Sequence, residues 1–136
     1  MGGEKRFQAV YYRAADGTQP ADDFIEGLDP RRQAVLDQQI ERLNLLGPHQ
    51  PHLPFPHSSQ IEGELRELRC HFGSKLYRVL YRRSANLIVL LHMFRKDTGQ
   101  VPERDIELAR RRWEDFRARM NAPRRRPPRA AGQDAP

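Results

Sequence analysis

The sequence predicts an α+β domain, in which a small antiparallel twisted sheet carries two amino-terminal helices on one side and a carboxyl-terminal helix. Three observations predict this class: two helix patterns precede residue 47, three strand patterns lie close together between residues 65 and 95, and one long helix pattern follows. Links of only three or four turn-forming residues join the three strands, which indicates an antiparallel meander. A chain of 136 residues has room for one such domain.

The amino-terminal part begins with a strand from Phe7 to Arg13, because β-branched and aromatic residues there end before the turn signal Asp16-Gly17. A short helix then opens at Pro20. Asp29-Pro30 supplies an N-cap and a first-turn proline for a second helix that runs to about Leu46. Its apolar residues have the three-to-four spacing of one buried face: Leu36, Ile40 and Leu43.

Residues 47–59 form a predicted loop, since four prolines exclude a helix or a central strand. Its three histidines have no Cys, Asp or Glu among them, so we do not predict a metal site or any cofactor there. The predicted meander strands are Leu65 to His71, Leu76 to Arg83 and Leu87 to Arg95.

A final helix starts at Pro102, and its apolar stripe recurs at helical spacing: Ile106, Ala109, Trp113, Phe116 and Met120. The domain is predicted to span residues 1–121. Residues 122–136 hold no apolar side chain larger than alanine, so we predict a disordered, basic, Pro- and Arg-rich tail there. The predicted layering leaves one basic sheet face open.

Charge is segregated along the chain, whose 24 Lys and Arg against 18 Asp and Glu give a net charge of +6. Residues 65–96 hold eight bases and one acid, whereas residues 14–64 hold three bases and nine acids. A basic segment of this kind suits nucleic acid or an acidic protein partner, and charge alone leaves both open.

The longest apolar run, Leu87 to Leu91, is far too short to cross a membrane, and no apolar secretory segment follows Met1. The single cysteine, Cys70, cannot form an internal disulfide, so we expect a cytoplasmic protein.

Four segments in order resemble the HigB-like, phage-derived branch of the RelE/ParE toxin superfamily. They are Gly63 to Arg69, Tyr77 to Tyr81, Ile88 to Lys96, and Pro102 with Glu107-Leu108-Ala109. The resemblance implies the RelE-like fold and the toxin of a type II toxin–antitoxin pair, often a ribosome-dependent mRNA endoribonuclease. It also implies three partners: an antitoxin, often a helix-turn-helix protein; mRNA on the ribosome; and operator DNA bound through the antitoxin complex.

By motif position, the resemblance places Arg69, Arg78 and Lys96 at the scissile phosphate. Arginine suits this task because its planar fork bonds two phosphate oxygens at once. The further phosphate-binding candidates are Arg66, Lys75, Arg82 and Arg95, of which Arg66 is weaker because strand alternation turns it to the other face. The mechanism requires the cations to converge without neutralisation by the protein's own carboxylates.

The sequence departs from RelE in two ways. The last tyrosine is Tyr81, so the carboxyl-terminal tyrosine that RelE uses in catalysis is missing, and Glu67 stands where RelE has a base. The candidates for general acid–base catalysis are then His71, His92, Lys96 and Glu67. His71 is favoured for its place at a strand end, while His92 is read as a core residue hydrogen-bonded to a neighbour. Two alternatives stay open: a ParE-like gyrase inhibitor, and a decayed toxin that only binds its antitoxin.

Overall fold

Six strands and three helices make up the protein in a computed structural model that describes residues 7–47, 52–122 and 129–132. The strands are β1 (Gln8–Tyr11), β2 (Ser58–Glu62), β3 (Leu65–Phe72), β4 (Lys75–Ser84), β5 (Leu87–Arg95) and β6 (Arg129–Ala130). The helices are α1 (Pro20–Glu26), α2 (Pro30–Asn44) and α3 (Glu103–Met120). Among the helices described, none has both the length and the hydropathy to span a bilayer. The predicted α+β class is confirmed.

One sheet holds all the strands, in the order β2-β3-β4-β5-β1-β6. Strands β3, β4 and β5 form the predicted antiparallel meander. Strand β1 joins it as expected but runs parallel to β5, with Val10 opposite Val89. The sheet is therefore mixed, and the prediction of a wholly antiparallel sheet is wrong at this one pairing. The chain re-enters the sheet through two helices and an edge strand after β1, which allows a parallel neighbour.

Helices α1 and α2 pack on one face of the sheet, as predicted. The Asp29 side chain caps α2 by accepting a hydrogen bond from the backbone N–H of Arg32 at 2.9 Å. Leu36, Ile40 and Leu43 are fully buried in the core between α2 and the sheet. The helix ends at Asn44 with Leu45 as its C-cap, slightly before the predicted end.

Helix α3 covers much of the opposite face, so the predicted open basic face is wrong. Trp113 and Phe116 pack in a second core with Leu80, Val89 and Leu91. This half of the sheet face is apolar, and the α3 stripe can bury itself only against such a surface. Charged side chains on this face include Arg82, which lies against Trp113, and the group Glu67, Arg69 and Arg78 toward β2 and β3.

Two short strands were not predicted. Strand β2 is an edge strand with a polar sequence, and its first residues, Ser58 and Ser59, lie in the segment that the sequence predicts as a loop. Strand β6 pairs with β1, where the Ala131 N–H donates to the Ala9 carbonyl at 2.7 Å and Ala131 is 1% exposed. The prediction of a disordered tail is therefore wrong for residues 129–132. Residues 1–6, 48–51, 123–128 and 133–136, including His49, lie outside the described residues.

Candidate functional site

Arg69 and Arg78 lie side by side on the sheet. They are direct partners across β3 and β4, on the face that α3 covers elsewhere. The Arg69 side chain is 24% exposed, whereas Arg78 as a whole is 1% exposed. The structure thus brings together two of the residues that the resemblance placed at the scissile phosphate.

Glu67 lies between the two arginines and is itself buried. Its Oε1 is 3.4 Å from Arg69 Nη1, and its Oε2 is 3.4 Å from Arg78 Nε. Ser59 Oγ also donates to Oε1, at 3.1 Å. The three charged side chains together carry a net charge of +1. The expectation that no carboxylate of the protein neutralises the phosphate-binding cations is therefore wrong for Arg69 and Arg78.

The Glu67 carboxylate does not provide a hydrogen bond for every polar atom of the two arginines. Glu67 Oε2, Arg78 Nε and Arg69 Nε are buried without a hydrogen-bond partner in the part of the chain that the structure describes. Buried polar atoms without partners are uncommon in native proteins and are concentrated where a ligand or water binds. This cluster therefore retains unused hydrogen-bonding capacity.

A cavity of about 420 Å³ opens beside the cluster. Its walls come from β2, β3, β4, the segment after β5, and α3: Ser59, Gln60, Ile61, Glu67, Arg69, Arg78, Gly99, Gln100, Val101 and Ile106. Its volume falls within the range of small-molecule sites. A nucleotide phosphate entering it would meet the two guanidinium groups and the carboxylate.

Lys96 lies at the rim of this cavity. Its side chain covers Gly99, so that a Cβ added there would lie 3.6 Å from Lys96 Cε and 3.8 Å from Nζ. The Lys96 N–H donates to the Leu76 carbonyl at 3.1 Å, which fixes the end of β5 against β4. Lys96 is thus a cation beside the Gly99 wall of the cavity, although it does not line the cavity itself.

Asp97 anchors the segment that forms this rim. Its Oδ1 accepts the backbone N–H of Leu76 at 2.9 Å, and Arg95 Nη2 donates to Oδ2 at 3.0 Å. The hydrogen bonds from Arg95 and then from Leu76 lower the pKa of Asp97 to about 2. Gly99 follows with a φ of +84°, a conformation that suits glycine. The carboxylate therefore orients the turn that carries Gly99, Gln100 and Val101.

His92 is a structural residue, as predicted. A register shift in the β4–β5 pairing places His92 opposite Leu80, on the α3 side. Its Nδ1 accepts from Arg112 Nη1 at 3.1 Å, so Nε2 carries the proton and donates to Asp105 Oδ1 at 2.7 Å. Burial lowers the pKa of His92, with Arg112 acting in the same direction and Asp105 opposing it.

Several predicted phosphate-binding residues lie elsewhere. Arg66 faces the α1–α2 side, where its Nε donates to Ser58 Oγ at 3.3 Å. The Arg82 guanidinium lies 4.6 Å from the centre of the Trp113 ring and 3.4 Å from Glu64. Arg95 is paired with Asp97. Arg66 is on the other face of the sheet, as strand alternation predicts, whereas Arg82 and Arg95 are held by local partners and do not line the cavity beside Arg69.

Two other predicted residues occupy the hairpin between β3 and β4. His71 is exposed and lies two residues beyond Arg69 on the same face of β3. Lys75 begins β4, opposite Phe72. In the described structure, neither side chain makes a hydrogen bond or an ion pair with Glu67, Arg69 or Arg78. His71 remains a candidate by position alone.

Ser59, Gln60 and Gln100 complete the cavity and were not among the predicted residues. The first two belong to β2, which has no strand signal in the sequence, and Gln100 lies in a turn whose path depends on Asp97. In the described residues, no group of three or more His, Cys, Asp or Glu side chains could hold a metal ion.

Comparison with known proteins gives one family. The model of the family described as phage-derived protein Gp49-like (DUF891) matches residues 23–114, about two thirds of the chain. The match covers the second half of α1, all of α2 and the meander, and most of α3, and thus every wall of the cavity. A search of curated proteins finds no match.

Proposed function

Because this chain belongs to the Gp49-like family of phage-derived proteins, a toxin-like family of the RelE superfamily, we propose that it is an mRNA endoribonuclease toxin. It acts on the ribosome as the toxin of a type II pair, in the manner of the HigB branch. The observation that supports this most is the Arg69–Glu67–Arg78 cluster beside an open cavity.

The chemistry needs a base, fixed cations and an acid. The 2′-hydroxyl of a ribose attacks the adjacent phosphorus, forming a phosphorane with added negative charge, and the bond to the 5′-oxygen then breaks. Because Glu67 pairs with Arg69 and Arg78, the requirement for cations without a carboxylate is dropped, and the proposal gives this carboxylate a catalytic role: Glu67 accepts the 2′-hydroxyl proton. Arg69 and Arg78 hydrogen-bond the developing charge.

Lys96 and His71 have the supporting roles. Lys96 at the rim adds a third positive charge, which offsets the carboxylate and restores a clearly cationic site. His71, the exposed imidazole further along the same face of β3, protonates the leaving 5′-oxygen. This assignment replaces the missing carboxyl-terminal tyrosine with a histidine as the acid.

A toxin-like family implies an antitoxin partner in general. We infer that this partner is a helix-turn-helix protein that neutralises the toxin and carries it to operator DNA. We predict a small helix-turn-helix reading frame directly beside this gene; its presence would support that part of the proposal, and its absence would count against it.

The proposal is tested in a reconstituted translation reaction in which new mRNA 5′ ends are mapped. Glu67→Gln and Arg69→Gln each lower the cleavage rate by on the order of 10²-fold, because they remove the base and one phosphate donor. Arg117→Gln, on the exposed surface of α3, is the matched control and cleaves normally. If correctly folded Glu67→Gln and Arg69→Gln cleave mRNA at the wild-type rate, the roles assigned to Glu67 and Arg69 are wrong.

A gyrase inhibitor is the second candidate, and one observation favours it. Glu67 neutralises one of the two arginine charges of the cluster, which weakens a site that depends on cations alone. In that case arrested cells accumulate DNA breaks while mRNA stays intact, and plasmid supercoiling by purified gyrase falls when the protein is added.

A further inference from the structure

A second basic cavity lies on the sheet face opposite Arg69 and Arg78. It has a volume of about 290 Å³ and is lined by His52, Gln60, Gly63, Glu64, Arg66 and Arg83. Arg66 is opposite Tyr81 in the β3–β4 ladder, and Arg83 lies two residues beyond Tyr81. The two arginines are thus diagonal neighbours on one face, within reach of a shared ligand.

Within the described part of the chain, neither guanidinium group is neutralised by an ion pair. In the described residues, no ion pair within 4.0 Å joins Arg66 or Arg83 to a carboxylate. Glu64 also lines the cavity, but its carboxylate lies 3.4 Å from Arg82. Burial lowers the pKa of His52, and the charges of Arg66 and Arg83 lower it further.

Both arginines are held in place while keeping donors available. Arg66 Nε donates to Ser58 Oγ at 3.3 Å, and Arg83 stacks on Phe7 with its guanidinium carbon 4.3 Å from the ring centre. Arg83 Nε is buried and has no hydrogen-bond partner among the described residues. Held guanidinium groups with free N–H donors are the usual recognition elements for phosphate.

Gln60 connects this cavity with the candidate active site. It lines both cavities, is exposed, and belongs to β2, the edge strand of the sheet. A single RNA strand passing over the β2 edge at Gln60 would therefore have one phosphate near Arg69 and a later one near Arg66. Arg66 and Arg69 are three residues apart along β3, or about 10 Å in an extended strand.

We propose that the Arg66–Arg83 cavity is a second phosphate-binding subsite, which holds the RNA strand after it crosses the β2 edge. This inference rests on the proposed nuclease function and names where its substrate continues. The ligand is a backbone phosphate of single-stranded RNA, bound without regard to the base.

The test uses the full chain and a 2′-O-methyl octanucleotide, which lacks the attacking hydroxyl. Arg66→Gln/Arg83→Gln weakens its binding by on the order of tenfold at low salt. The slope of log affinity against log salt falls by about 0.7, as expected for one phosphate on a single strand. Binding of a dinucleotide, which fills only the Arg69–Arg78 site, is unchanged. Arg111→Gln/Arg117→Gln on α3 is the control, with the same loss of charge.

The outcomes separate the two proposals. Unchanged octanucleotide affinity and salt slope in Arg66→Gln/Arg83→Gln would overturn the subsite, even if the wild type cleaves mRNA. Suppose that the salt slope of octanucleotide binding depends on Arg66 and Arg83 but the wild type never cleaves mRNA. That result would support the subsite and refute the nuclease function. If the variant fails to fold, Arg66→Lys/Arg83→Lys replaces it: weaker octanucleotide binding with an unchanged salt slope supports the subsite, and wild-type affinity refutes it.

Discussion

Replacement of Arg78 by methionine tests the buried charge cluster most severely. The change keeps much of the side-chain volume but removes the guanidinium that faces Glu67 Oε2 at 3.4 Å. At an effective dielectric constant of about 20, two unit charges at that distance attract each other by about 5 kcal/mol before desolvation. Removing one partner of a buried pair costs about 3–5 kcal/mol, because the other charge stays buried. Arg69 still contacts Glu67, so we expect the lower end of that range.

The assay is urea unfolding at pH 7, followed by circular dichroism, for a double-mutant cycle. Glu67→Gln removes the charge that Arg78→Met leaves behind, so the double variant is more stable than the sum of the single effects predicts. We expect a coupling free energy of about 2 kcal/mol or more. Arg117→Met serves as the control and changes the free energy of unfolding by less than about 0.5 kcal/mol, because its ion pair with Glu114 is exposed. Additivity within about 0.5 kcal/mol would refute the reasoning.

Three further predictions concern the rest of the fold. Because folding lowers the pKa of His92, the unfolded chain binds more protons than the folded protein as the pH falls through about 6.5. The free energy of unfolding therefore falls as the pH drops from 7.5 to 5.5. Urea titrations of the wild type and His92→Gln measure this, and equal slopes would contradict it. Burial raises the pKa of the Cys70 thiol to about 12, so Ellman's reagent reacts with it only after denaturant is added. Fast reaction of native protein would refute this. Deletion of residues 129–136 exposes the edge of β1 and lowers the free energy of unfolding by about 1–3 kcal/mol, because the Ala131–Ala9 hydrogen bond is lost. An unchanged urea midpoint would show that β6 contributes nothing.

Local sequence patterns were enough to predict the β3–β4–β5 meander, the N-cap of α2 and the buried apolar stripe of α3. Each is encoded by neighbours in the chain: turn residues between strands, Asp29 before Pro30, and apolar residues at helical spacing. The pairing of Arg69 with Arg78 follows from the length of the hairpin between them. These features could therefore be predicted from the sequence.

Features that depend on distant contacts could not be predicted in this way. Strand β6 is held by Asn44, whose Oδ1 accepts the Ala9 N–H at 2.6 Å and whose Nδ2 donates to the Ala131 carbonyl at 3.0 Å. No pattern near residue 130 signals that partner. The apolar stripe of α3 shows that the helix is buried but not which sheet face it covers. The sequence marks Glu67 as a candidate proton carrier, but its position between two arginines depends on the β3–β4 register.

The most direct test of the proposed function is the mapping of mRNA 5′ ends in translation reactions with the wild type, Glu67→Gln and Arg69→Gln. We predict new 5′ ends at codon boundaries of ribosome-bound mRNA with the wild type, and a cleavage rate lower by on the order of 10²-fold with each variant. Intact mRNA with folded wild-type protein, or undiminished cleavage by both folded variants, would contradict the role assigned to the Arg69–Glu67–Arg78 cluster.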